Sequence, residues 1–270
     1  MAVTGTRFTS LFNDSNGDGK VSPGDTLLTQ ILIKNATAAA LTSVTVNDTL
    51  TNNTTYVAGS TVVTVGDQYT GLVGNTPISF VTSEGVLAND YHFDGANAGT
   101  NTGLTVTTVD GVAIGGNITI HDAAVPATVA GTVNVAADGS FTFTPATGYV
   151  GTAAFTYTDS DGSGTIGSGT VTLTVSSEIW YVDSTYAGGN GTSDGSYLKP
   201  FTTFTNLNGA GDKDAPGDTI VVHGSPAAAN FVLEAGETLL GDGVLHKVND
   251  AYTVNGVTHN TGATTVTSGS

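Results

Sequence analysis

From about residue 67 to about residue 176, apolar and hydroxyl side chains alternate one for one, and a period of two is the signature of extended strands. Leu104 and Val106 alternate with Thr105 and Thr107, Phe141 and Phe143 flank Thr142, Phe155 and Tyr157 flank Thr156, and Val171, Leu173 and Val175 flank Thr172 and Thr174. Each run predicts one buried face and one wet face. Turn formers at Asp110-Gly111, Gly115-Gly116, Asp138-Gly139 and Asp161-Gly162 separate the runs as in a β-sandwich, with Asp138-Gly139 a good hairpin turn. The chain of 270 residues has 37 glycines and only 11% charged residues, a profile of many short strands and turns. Apolar runs recur throughout, which argues against disorder, and the length suffices for two or three domains that each bury a core.

A second feature precedes this region. The stretch from Asn13 to Asp25, NDSNGDGKVSPGD, has the spacing of a calcium loop: side-chain oxygens from Asp14, Asn16 and Asp18, the carbonyl of Lys20, Asp25 closing the sphere, and Gly19 at the sharp turn. Ser22-Pro23-Gly24 and then a strand-like run, Thr26 to Ile33, follow where a helix would begin in a signalling loop. The expectation is a structural clip between strands that holds Ca2+. An ion-free turn rich in Asp, Asn and Gly is the alternative.

Three stretches carry family resemblances. Residues 1–66, through DSNGDGKVSPGDTLLTQILIKN, LTSVTVNDTL and TTYVAGST, resemble the Ig-like conserved repeat of bacterial and archaeal surface proteins. That repeat implies a stalk or wall module without catalytic residues. Residues 67–176, through GVLANDYHFDG, GTVNVAADGSFTFTPATGYVGTAAFTYTDSDGSG and GTVTLTV, resemble the cadherin-like and Ig-like repeats of large bacterial adhesins. By that resemblance Asn89, Asp90 and Asp94 would hold a second calcium ion, with Asp159 and Asp161 contributing, although His92 stands where the pattern more often has an acid. Residues 177–270, from IWYVDSTYAGGNGTSDGSYLKPF to GDTIVVHG, resemble the opening of a pectate-lyase-like right-handed parallel β-helix. The expected fold class is therefore all-β: two Ig-like β-sandwich domains in series, followed by the first coils of a β-helix, which is expected to be incomplete.

The charge balance of 23 acids against 6 bases makes nucleic acid a poor partner and divalent cations good ones. Without cysteine there is no disulfide, thiolate site or thiol nucleophile. The five histidines, His92, His121, His223, His246 and His259, lack metal-ligand spacing. No run is long enough to span a membrane, and the first residues do not resemble a signal peptide, so an internal piece of a longer extracellular protein is expected. Polysaccharide chemistry needs two acids facing one cleft. The candidates Asp212, Asp214, Asp218, Glu234, Glu237 and Asp242 all fall in loops, where solvated acids are the simpler expectation. Trp180, the sole tryptophan, is assigned to the core rather than to a sugar platform.

The functional expectation is a calcium-stabilised structural or adhesive module of a cell-surface protein, not an enzyme. Its partners would be further copies of itself, surface or host components, or glycan. Thr- and Val-rich edges with few charges favour self-association into a filament. The alternative is the N-terminal fragment of a polysaccharide-active β-helix enzyme with accessory Ig-like domains.

Overall fold

The computed structural model describes residues 3–35, 46–50, 52–57, 61–162, 166–188, 192–208, 211–227, 231–241 and 251–259. Strand β1 (Val3–Asn13) and strand β2 (Thr26–Asn35) pair antiparallel around the acidic loop as a two-stranded sheet of their own. The expected strand after the loop is therefore present as β2. The sequence also predicts a turn at Asn35-Ala36-Thr37 and a second strand around Ser43–Val46, which lie largely outside the described residues.

The remaining strands follow in chain order. They are β3 (Val62–Val63), β4 (Asp67–Gly74), β5 (Ile78–Phe80), β6 (Tyr91–His92), β7 (Thr105–Val109), β8 (Val112–Ala113), β9 (Ile118–Asp122) and β10 (Val129–Val135). After them come β11 (Phe141–Pro145), β12 (Gly151–Ser160), β13 (Ile166–Asp183), β14 (Thr219–His223), β15 (Thr238–Leu240), β16 (Tyr252–Val254) and β17 (Val257–His259). Short β3 pairs with β6; all the others join one 13-stranded mixed sheet. Its main path runs β17-β16-β4-β13-β12-β9-β10-β11-β5.

This overturns the expected series of two separate sandwiches followed by a β-helix. A single sheet spans most of the chain and curls through 279° into a half-barrel. Two strands explain the continuity. Along its ten residues β12 pairs β13 on one edge and shares the other between β9, at Ala153 and Ala154, and β7, from Tyr157 to Ser160. The 18-residue β13 then runs through Ser176 and Ser177 without a break. Its pairing with β12 ends at Val175 and its pairing with parallel β14 begins at Ile179, while β4 pairs from Val171 to Glu178, with register shifts between Leu173 and Val175 and between Val175 and Ser177, and splints the hand-over. Curvature enters where the ladder is irregular: β10 shifts register between Val129 and Gly131, and Gly131 has a φ of 152°, where an added side-chain carbon would collide with the Thr144 carbonyl and the Phe143 ring. A side chain there would block the bend.

The alternation read from the sequence is the alternation of burial. Leu104, Val106, Phe141, Phe143, Phe155, Tyr157, Val171, Leu173 and Val175 all lie in the main core. Tyr69, Phe80 and Phe141 form its aromatic centre, with ring centroids 4.5 Å to 5.2 Å apart, and Tyr252 closes edge-on to Phe80 at 5.4 Å. Asp138-Gly139 turns β10 into β11, and Asp110-Gly111, both at positive φ, turns β7 into β8. Beyond Ser177 both faces of β13 are buried, as befits a strand with a parallel neighbour. Trp180 and Val182 face a second core with Phe201, Phe204, Leu207 and Ile220, and Trp180 stacks on Phe201 at 6.1 Å. Ile179 and Tyr181 face a third cluster with Val221, against which Val73 of β4 and Leu240 of β15 pack. Trp180 is thus a core residue.

Candidate functional site

The acidic loop is closed by its own hydrogen bonds. Asp14 Oδ1 accepts from the Gly17 amide at 2.7 Å and Oδ2 from the Gly19 amide at 2.6 Å; Asp18 Oδ1 accepts from the Lys20 amide at 2.8 Å. Asp25 reaches across the turn: Oδ1 accepts from the Ser15 amide at 2.9 Å and hydroxyl at 2.8 Å, and Oδ2 from the Ser22 amide at 2.7 Å and hydroxyl at 3.0 Å. These donors, the Ser15 amide foremost, hold the Asp25 carboxyl at a pKa of about 2, and Asp14 is lowered mainly by the Gly19 amide. The structure therefore gathers Asp14, Asn16, Asp18, Lys20 and Asp25 into one turn, but spends both Asp25 oxygens on amide and hydroxyl donors. That arrangement fits a hydrogen-bonded clip at least as well as an ion cage.

A more unusual arrangement lies inside the large sheet. Asp67, at the head of β4, and Asp159, near the end of β12, are 1% and 0% exposed, and Asp90, just before β6, is 3% exposed. Asp90 Oδ1 accepts from the Val65 amide at 2.7 Å, Asp159 Oδ1 from the Thr64 hydroxyl at 2.9 Å, and Asp67 Oδ1 from the Asn255 side-chain amide at 2.8 Å. Asp67 Oδ2 and Asp159 Oδ2 are buried without a hydrogen bond. The Tyr157 hydroxyl stands 2.8 Å from Asp90 Oδ2 and 2.9 Å from the Val86 carbonyl. One phenolic proton cannot serve two acceptors. A proton on Asp90 resolves this, because the acid then donates to the phenol and the phenol donates to Val86.

Asp67 and Asp90 are each raised to about 7, chiefly by burial; repulsion from Asp159 and Asp67 adds to the rise of Asp90, against the Val65 amide and Tyr157 hydroxyl that lower it. Asp159 is raised too, chiefly by burial. At neutral pH such a cluster must keep protons or recruit a cation, because unpaired buried carboxylates are costly. Of the residues expected for a second calcium site, Asp90 and Asp159 come together. Asn89 lies beside Asp67 and lowers its pKa, and Asp161 bears on Asp159 by charge. Asp94 instead accepts from the Tyr56 hydroxyl at 2.6 Å. His92 is buried, with Nε2 3.1 Å from the Thr102 carbonyl.

Sequence reasoning missed Asp67 and Asn255. Two signals were available: Asp67 sits two residues before buried Tyr69, on the core-facing phase of β4, and Asn255-Gly256 is a two-residue hairpin turn joining β16 to β17. That turn docks on the head of β4, with the Asn255 amide donating to the Gln68 carbonyl and the Gln68 amide to Asn255 Oδ1.

The loop acids of the C-terminal third are less solvated than expected. Asp214 and Asp218 are buried. Asp218 accepts from the Trp180 indole at 3.0 Å and the Ala215 amide at 2.9 Å, which explains its burial. Burial raises Asp214, and Glu237 beside it raises it further. Asp242 and His246 lie outside the described residues. Among the described residues, no three Asp, Glu or His side chains already stand at the spacing of a metal site, and no helix is long and apolar enough to cross a membrane.

No curated protein matches the chain. Residues 60–174, which carry Asp67, Asp90, Asp159 and most of the curled sheet but stop inside β13, match the family model described as a bacterial Ig domain.

Proposed function

We propose that this chain is a rigid, non-catalytic module of a large extracellular protein, in which the Ig-like unit holds the opening strands of a parallel coil in a fixed direction. The observation that supports this most is β13, whose first half completes the sheet matched to the bacterial Ig domain and whose second half founds the parallel row β13-β14-β15. A parallel coil cannot bury its own end, and a preceding unit that shares a strand with it fixes both the end and the approach angle. The host protein favoured by that row is a polysaccharide-acting β-helix protein, to which this chain contributes the accessory part.

A second reading, a calcium-stabilised surface or adhesive module, is favoured by the buried aspartates. In it the Asp67, Asp90 and Asp159 carboxyls, with Asn89, trade shared protons for Ca2+, and the loop from Asp14 to Asp25 takes a second ion by opening its hydrogen-bonded closure. The oxygen-only donors suit a hard cation.

The test incubates the chain, with and without calcium, with uronate and neutral polysaccharides, and measures both retention and release of new chain ends. Retention without cleavage supports the accessory role in a polysaccharide-acting protein. Retention on no polysaccharide, together with calcium-dependent clustering of chain-coated beads, supports the surface role instead. Cleavage abolished by Asp214→Asn refutes a non-catalytic module.

A further inference from the structure

Where β13, β14 and β15 run side by side, an acid stands just before the first paired residue of each. Ile179 stands opposite Thr219 and Thr219 opposite Thr238, so one residue earlier Glu178, Asp218 and Glu237 follow one another across β13, β14 and β15. The Thr238 amide donating to the Asp218 carbonyl at 3.0 Å keeps that register. Side chains in register on parallel neighbours stack on the same face, so the carboxyls form a row across the strand starts.

The members differ in what satisfies them. Asp218 accepts from the Glu178 amide, the Trp180 indole and the Ala215 amide. Glu237 Oε2 accepts from the Glu234 amide, whereas its Oε1 is buried without a hydrogen bond. Asp214, in the loop before β14, is 8% exposed, and neither of its oxygens has an amide, hydroxyl or cationic donor from another residue; its side-chain partner is the Glu237 carboxyl. The charged groups that bear on it are Glu237 and Asp212, both acids, and Asp212 Oδ2 is likewise buried without a partner. No Lys, Arg or His of the described residues forms an ion pair with any of the three. A carboxyl buried among carboxyls, with no cationic side chain beside it, calls for a shared proton or for a cation whose shell is made entirely of oxygen ligands.

We propose that a hard divalent cation of the calcium class seats between Asp214 and Glu237, with Asp212 at its rim, and ties the start of β15 to the loop that feeds β14. The protein gives two carboxylates to the ion, and main-chain oxygens and water complete a shell that calcium, with its tolerance of irregular geometry, accepts. This site is separate from the Asp14–Asp25 loop and from the Asp67, Asp90 and Asp159 cluster, and does not depend on either of them binding an ion. Its role is mechanical: it pins successive coils at the edge where the acids would otherwise repel.

Trp180 makes the site separately readable. It is the sole tryptophan, and its indole bonds the same Asp218 that accepts from the Ala215 amide, the residue next to Asp214. Terbium, a luminescent stand-in for calcium, is added to the full chain under selective tryptophan excitation. The expected result is saturable sensitised emission that excess calcium displaces. It falls at least about tenfold in Asp214→Asn/Glu237→Gln and persists in Asp14→Asn/Asp25→Asn, about tenfold corresponding to about 1.4 kcal/mol if affinity alone changes. The amide variants keep the shape of the acids and remove their charge, so they retain the fold; thermal melting checks this, and calcium raises the melting temperature of Asp14→Asn/Asp25→Asn more than that of Asp214→Asn/Glu237→Gln. No emission from the folded wild-type chain, undiminished emission from folded Asp214→Asn/Glu237→Gln, or a Trp180 signal that follows pH but not cation overturns the proposal. The last outcome would mean that a shared proton alone neutralises the acids.

Discussion

Replacing Ile179 by alanine strikes the point where the Ig-like sheet and the parallel row meet. Ile179 is 7% exposed and packs with Tyr181 and Val221, against which Val73 of β4 and Leu240 of β15 also rest. Truncating a buried isoleucine costs about 2–5 kcal/mol, and a small cluster that can partly collapse belongs near the low end, about 2–3 kcal/mol. For a cooperative unit of this size each kcal/mol moves the melting temperature by about 2–4 °C, so Ile179→Ala should lower it by about 4–12 °C. Two probes separate the possibilities: Trp180 fluorescence reports the second core, and far-UV circular dichroism reports chiefly the large sheet. If the sheet unfolds as one body, both transitions fall together by the same amount. A fluorescence midpoint that drops while the dichroism midpoint stays at its wild-type value would refute the reasoning, because the two regions would then melt independently.

Tyr157→Phe removes the one hydroxyl that contacts buried Asp90, and should cost about 1–3 kcal/mol in urea denaturation. In metal-free buffer, Asp67 and Asp90 carry protons in the fold to about pH 7 but release them near pH 3.8 when unfolded, so the folded state binds more protons in between. Their contribution to stability is therefore greatest below about pH 4 and is lost as the pH rises toward about 7, a slope that Asp67→Asn should reduce. Gly131→Ala places a methyl group against the Thr144 carbonyl at a backbone angle that side chains avoid, and should destabilise by about 1–3 kcal/mol or more in thermal melts. Calcium titrated calorimetrically into wild type and Asp25→Asn isolates the Asp14–Asp25 loop by difference: one binding event fewer in the variant is expected if the loop takes an ion, and equal signals would leave it as a hydrogen-bonded clip.

Which apolar side chains of the alternating strands are buried was legible in the sequence; which strand borders which was not. Thr142 between Phe141 and Phe143 declares a half-buried strand, because the period-two pattern is a local consequence of the backbone. Nothing local says that β12 will divide one edge between β7 and β9, or that β13 will continue past Ser177 into a parallel partner. Those pairings depend on contacts far apart in the chain, such as Glu178 beside Gly74. The boundary expected between residues 176 and 177 falls inside β13, where the strand changes neighbour from β12 to β14. The sites show the same division. Asp14 to Asp25 is a local spacing, so its gathering into one turn between two strands was readable. Asp67 meets Asp90 and Asp159 through folding, and Asp214 looked like a solvated loop acid because a sequence does not show that β15 brings Glu237 against it.

Hydrogen exchange of individual β13 amides tests the central claim most directly. One strand serving two units, splinted by β4 from Val171 to Glu178, predicts slow exchange in the sheet-paired amides continuing from Val171 across the hand-over to Val182, with no drop in opening free energy between Val175 and Ile179. Fast exchange confined to Ser176, Ser177 and Glu178, with protected amides on both sides, would show a hinge there and contradict the account.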